Sequence, residues 1–120
     1  GISNNGTLTL KNTNTINKAV TGTGTTTVST GTTTLGANLT QNELNISEDA
    51  TLVNNATASA VLYNDGTLTN NSVFIANTGS TNDGGINGIG TLNLNGTFAN
   101  NATLTQGTLH YTNNSTLQIH

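Results

Sequence analysis

"GTLTNNSVFI", residues 66–75, is written again with small changes as "GTLNLNGTFA" at 90–99. Both set a small residue, a Thr, one large apolar residue and then Asn, and "ATLVNNATA" (50–58) and "GTFANNATL" (96–104) follow the same order. The pattern exceeds composition: Thr-Leu occurs nine times, where 27 Thr and 13 Leu would place about three at random. Leu62, Leu68, Phe74, Ile86, Leu92, Phe98 and Leu104 fall on one lattice of six, interrupted only at Ser80. Leu10, Ile16, Val28, Ile46 and Leu52 fit a second lattice of six with gaps. A helix repeats every 3.6 residues, so six is instead a short alternating strand with one inward residue, followed by a bend. The phrase that starts at 66 starts again at 90, and "STLQI" follows at 115–119. These intervals predict an all-β fold, a parallel β-helix (β-solenoid) with irregular rungs of about 24 residues.

Within such a rung each letter has a role. Leu or Phe points into a narrow core, one side chain wide, and stacks on its counterpart about 4.8 Å away in the next rung. The flanking Thr residues face water, where β-branching suits an extended backbone. The Asn that follows tolerates the left-handed conformation of a bend, and its amide can pair with an Asn one rung away. The chain contains no Pro, as expected of strands whose amides must donate to neighbours. The competing arrangement is an antiparallel β-sandwich, in which "VLYNDGTLT" (61–69) would form a hairpin about Asp65 and Gly66.

Asn (22), Thr (27), Gly (14) and Ser (7) make up 70 of the 120 residues. This vocabulary is poor in helix formers. With net charge −3 and a hydrophobic share of 32%, it also lacks the high charge and low hydrophobicity of a disordered chain. We expect residues 1–120 to form a single solenoid segment, part of a larger repetitive extracellular protein. Two Lys and no Arg argue against nucleic acid or an anionic membrane as partner. No apolar run reaches the roughly 18 residues of a membrane span, and "GISNNG" at the start does not resemble a signal peptide.

Chemistry is hard to place. Catalysis by paired acids and bases needs titrating groups that converge, whereas Asp49, Asp65 and Asp83 are scattered and Lys occurs only at 11 and 18. Glu43, Glu48 and Asp49 are the one acidic cluster, expected as a solvated turn, with a calcium site as the sharper alternative. "NDGGINGIG" (82–90) is expected to be a loop or bulge. His110 and His120 stand alone, the chain has no Cys, and Tyr63 and Tyr111 suit rung edges. We therefore expect no enzyme, no catalytic, cofactor or metal site, and no cofactor. In "TGTGTTTVSTGTTT" (21–34), Thr21, Thr23, Thr25 and Thr27 would share one strand face and resemble the Thr arrays of some antifreeze proteins. That reading requires Thr-x-Thr at one place in every rung, and the later phrases offer only "TLT" at 67 and 103. Asn-x-Ser/Thr occurs nine times, from Asn5 to Asn114, which permits glycosylation.

The stretch "VTGTGTTTVSTGTTTLGANLTQNELNISEDATLVNNATA" (20–58), with "GTLTNN", "GTLNLNGTF" and "GTLH", resembles the passenger regions of bacterial autotransporters and large surface adhesins. The resemblance implies a right-handed parallel β-helix secreted across an outer membrane, and often adhesion in virulence. It implies an extracellular or cell-surface location, and as partner a protein or glycan on a host or neighbouring cell. The expected function is a stalk-like structural and adhesive module. Its alternative is a pilus-like filament subunit that self-associates through strand edges, with "GISNNGTLTL" (1–10) as a detached donor strand.

Overall fold

The computed structural model describes residues 1–112 and 114–120, and these form short strands wound into a coaxial coil. The first turn holds β1 (Ile2–Ser3), β2 (Thr7–Leu10) and β3 (Asn14–Ile16), and the second β4 (Val20–Thr21), β5 (Thr25–Val28) and β6 (Gly31–Leu35). In the third and fourth turns one long strand rounds the first corner: β7 (Leu39–Ile46) precedes β8 (Ala50–Asn54), and β9 (Thr57–Asn64) precedes β10 (Thr67–Asn70). The fifth has β11 (Val73–Asn77), β12 (Ser80–Asn82) and β13 (Gly85–Asn87); the sixth has β14 (Thr91–Asn95), β15 (Thr97–Asn100) and β16 (Thr103–Leu104). Then β17 (Thr108–Tyr111) and β18 (Thr116–Ile119) start a seventh.

The coil has three sides. The first sheet stacks β1, β4, β7, β9, β11, β14 and β17; the second stacks β2, β5, β7, β9, β12, β15 and β18; the third stacks β3, β6, β8, β10, β13 and β16. Each pair runs parallel, from β1 on β4 to β15 on β18, which makes the fold a parallel β-solenoid and excludes the sandwich. The expected hairpin at 61–69 is absent: the turn at Asp65–Gly66 leads out of β9 into β10, which pairs with β8 and β13.

A turn takes about 18 residues, not 24, and Asn64, Asn82 and Asn100 mark that interval at one corner. Ile2 lies on Val20, Thr26 on Leu44, and Leu68 on Ile86 at the same interval. The lattice of six is real, but three sides complete a turn, so Leu68, Phe74 and Ser80 stand on the third, first and second sheets in succession. The two phrases at 66 and 90 are therefore one turn plus one side apart. Leu68 stacks between Leu52 and Ile86, whereas Leu92 stacks between Phe74 and Leu109. They share an order because every side must turn a corner, send one large side chain inward, and leave. The core is accordingly wider than one side chain. Phe74, Phe98, Leu44, Leu62, Leu68, Ile86 and Leu92 meet within it from all three sides, fully buried.

The interruption at Ser80 is also inward. Ser80 is buried on Phe98, and its hydroxyl donates to the Asn77 carbonyl (2.7 Å) and accepts from the Leu62 amide (2.9 Å). A polar group in the core is thus hydrogen-bonded on both counts, as burial demands. The stretch at 82–90, expected as a loop or bulge, contains β13, with Ile86 buried between Leu68 and Leu104. Its neighbour Gly84 permits the tight corner, since a Cβ there would strike the carbonyl oxygen of Gly66 in the turn before.

Candidate functional surfaces

Asparagine marks two corners, in a way the sequence only half discloses. Positive φ among the described non-glycine residues is confined to Asn12 and Asn114, so the pairs at 54, 70 and 100 are not left-handed bends. Their first members are buried instead. Asn64 Nδ2 donates to Asn82 Oδ1 (2.8 Å), and Asn82 Nδ2 to Asn100 Oδ1 (2.8 Å). Each amide also donates to a carbonyl of the following side, Gly85 and Thr103 respectively. The ladder locks the exit of the second sheet to the entry of the third. It continues the apolar column of Leu10, Val28 and Ile46, which is why Asn64 Oδ1, facing Ile46, has no partner. A second pair, Asn54 Nδ2 to Asn70 Oδ1 at 2.9 Å, holds the exit of the third sheet.

Two glutamines bridge gaps left by glycine. Asn4, Gly22 and Gln41 succeed one another at one corner; Asn70, Gly88 and Gln106 do so at another. Gly22 and Gly88 have φ of +121° and +110°, a conformation that suits only glycine, so no side chain fills the middle turn. The Gln reaches across it: Asn4 Nδ2 donates to Gln41 Oε1, and Asn70 Nδ2 to Gln106 Oε1, both at 2.6 Å. Gln106 Nε2 adds a contact to the Asn87 carbonyl at 2.8 Å. Replacing Gln106 by Ala removes this brace while Asn70 keeps its bond to the Thr91 carbonyl (2.9 Å). We expect a loss of about 1–2 kcal/mol, the range for unmade polar contacts, seen as a lower denaturation midpoint in urea.

The residues singled out for chemistry do not converge. Glu43 lies in β7 between Thr25 and Val61, while Glu48 and Asp49 are exposed in the turn before β8. Asp65 and Asp83 occupy the same corner in later turns, where Asn101 Nδ2 donates to Asp83 Oδ1 at 2.6 Å. Among the described residues no three of His, Cys, Asp and Glu group as metal ligands, and no pocket is found. His110 lies beside Asn93 in β17. Tyr63 is outward between Asn45 and Thr81. Tyr111 continues the buried column of Ala76 and Leu94, and is exposed because no described strand covers it. No helix of the described residues is long and apolar enough to cross a membrane. Thr21 and Thr25, expected on one strand face, belong to different sheets because Gly22 and Gly24 turn the chain between them. Residues 1–10, the expected detached strand, pair in register with β4 and β5.

One outer face is regular. In the third sheet the alternate residues Thr33, Leu52, Leu68 and Ile86 are buried, so their neighbours point outward. One outward column runs Thr32, Thr51, Thr67, Gly85, Thr103; the other runs Thr15, Thr34, Val53, Thr69, Asn87. Thr105 extends the second, its amide donating to the Ile86 carbonyl at 2.8 Å. Along a strand the two columns stand about 6.6 Å apart, and successive turns about 4.8 Å apart. No formal charge stands in either column; Lys11, Lys18, Glu48, Asp49, Asp65 and Asp83 are in the turns. The other sheets show no such uniformity: Thr27, Asn45, Tyr63, Thr81, Ala99 and Gln118 form one outward column of the second. The fold and its surfaces are the basis for a functional reading, because no family model, no curated protein and no solved structure matches this chain.

Proposed function

We propose that this chain is a rod segment of a bacterial surface or secreted protein, a structural stalk whose sides mediate adhesion to a host or neighbouring cell. The observation that carries this reading is a coil of parallel turns stacked in register along one axis, from β1 on β4 to β15 on β18, around one apolar core that runs through the stack. Stacked turns give length and stiffness at little sequence cost, and lateral strands present side chains repetitively. The test is display of the chain on a non-adherent bacterium. Attachment to epithelial cells or between bacteria should rise several-fold over cells displaying Leu92→Asp at equal surface density. Equal attachment by the two would remove the adhesive reading.

Parallel turns stacked in register also favour a second reading, an extracellular filament in which copies stack end to end. Since residues 1–10 are packed in the first turn, addition would join whole turns rather than exchange a strand. Concentration-dependent fibres in electron micrographs, about as wide as the coil, would select it.

A further inference from the structure

We propose that the third sheet binds ice through its two outward threonine columns, a property independent of whether the chain acts as a rod. Eight threonines and one valine stand on this face: Thr15, Thr-x-Thr at 32–34, 67–69 and 103–105, Thr-Leu-Val at 51–53, and a single departure, Gly-Ile-Asn, at 85–87. The sheet's register places these triplets one above another rather than around the coil. Each threonine presents a methyl and a hydroxyl on a stiff side chain. Repetition at about 4.8 Å in one direction and about 6.6 Å in the other makes the face a two-dimensional lattice of threonines, interrupted at Val53, Gly85 and Asn87. In-register parallel stacking with side-chain ladders, here the Asn ladders at the corners, is also the arrangement that keeps a sheet flat.

The occupant of such a face must itself be periodic, neutral and able both to donate and to accept hydrogen bonds. The oxygen lattice of ice has these properties, and along one axis it repeats at close to the strand spacing. Charge complementarity points the same way. A formal charge orients water about itself and disrupts a lattice, and the columns carry none, Glu48, Asp49, Asp65 and Asp83 being held in the turns at the sheet's edge. The methyl groups release loosely held water when the face docks, while the hydroxyls take lattice positions. A crystalline polysaccharide is also periodic, but recognition of sugar rings favours flat aromatic side chains, and this face has none. Each contact is weak, and the attraction grows with the number of turns engaged at once.

The test is partitioning of the whole chain between slowly growing ice and the remaining liquid. Wild type should be enriched in the ice several-fold over a non-binding protein of similar size. Thr67→Lys, at the centre of the array, should be rejected into the liquid, whereas Thr27→Lys, outward on the second sheet, should partition as wild type. Circular dichroism melts establish that each variant is folded, and if Thr67→Lys is not, Thr67→Tyr places a bulky strand-favouring side chain at the same point. Rejection of wild type, or equal partitioning of the variants on the two sheets, overturns the proposal. So does retention on crystalline chitin or cellulose without enrichment in ice.

Discussion

Leu92→Asp is expected to unfold the central and C-terminal turns at room temperature, while Thr91→Asp melts within a few degrees of wild type. Leu92 is fully buried, stacked between Phe74 and Leu109 with Leu94 beside it in β14. Removing the leucine forfeits about 2–3 kcal/mol of apolar transfer. The carboxylate that replaces it finds no cation in the core, and burying it adds several kcal/mol or forces it to take up a proton. The combined loss is comparable to the whole stability of a small domain, about 5–15 kcal/mol. Apart from the Gln41 and Gln106 braces, each turn contacts only its neighbours, so failure of the sixth turn strips the coupling that holds the seventh and weakens the fifth. Thr91 is one residue away and points outward between Val73 and Thr108, so a carboxylate there stays hydrated. Thermal melts by circular dichroism, with limited proteolysis to locate the opened turns, compare the two. Coincident melts would overturn the inward and outward assignment of the first sheet.

How much of this was legible in the sequence depends on what kept step with the chain. The six-residue lattice did: an inward residue per side needs one alternation of a strand and one bend, and Leu62, Leu68, Phe74, Ile86, Leu92 and Phe98 all obey it. The number of sides did not, because equivalent sides are spelled by equivalent phrases on different sheets, and "GTLTNN" matched "GTLNLN" across a corner. Direction was legible only indirectly, through the lack of proline. The threonine columns were hidden for a different reason. Going down the third sheet, Thr34 lies on Val53, Val53 on Thr69 and Thr69 on Asn87, three steps of unequal length along the chain. The corners absorb these differences while the strands remain in register, so no fixed period reveals the array. The run at 21–34 misleads for the converse reason: its threonines are close in sequence but two glycines divide them between sheets. The asparagines were legible as ladders but not as core, since nothing local distinguishes Asn82, fully buried, from Asn71, exposed.

That last contrast sets the second large effect. Asn82→Asp changes one atom type, yet it is expected to cost about 3–5 kcal/mol at neutral pH, the range for an uncompensated buried charge. Asn82 is held on three counts: Oδ1 accepts from Asn64 Nδ2, and Nδ2 donates to Asn100 Oδ1 (2.8 Å) and the Thr103 carbonyl (3.1 Å). A carboxylate keeps the first bond and turns the other two into oxygen facing oxygen. Rotating the Asn100 amide does not rescue it, because Asn100 Nδ2 is committed to the Ala102 carbonyl at 2.8 Å. Burial and the two facing oxygens raise the pKa of the introduced carboxyl in the fold above its unfolded value of about 3.9. The sign of the pH dependence follows. Below about pH 4 the group is protonated in both states, and its O–H can donate to Asn100, so the deficit is smallest there. As pH rises from that point to the folded pKa, the unfolded chain ionises and the folded one resists, and stability falls by about 1.4 kcal/mol for each pH unit crossed before levelling. Asn71→Asp is the solvated counterpart: its amide donates to Asn55 Oδ1 at 3.1 Å on the exposed surface, and its loss is expected to stay under about 1 kcal/mol. Urea denaturation of both variants between pH 3 and pH 8 measures the difference. If the Asn82→Asp deficit does not grow with pH, Asn82 is not the dry, triply bonded rung that the distances describe, and the corner it locks owes its order to the backbone alone.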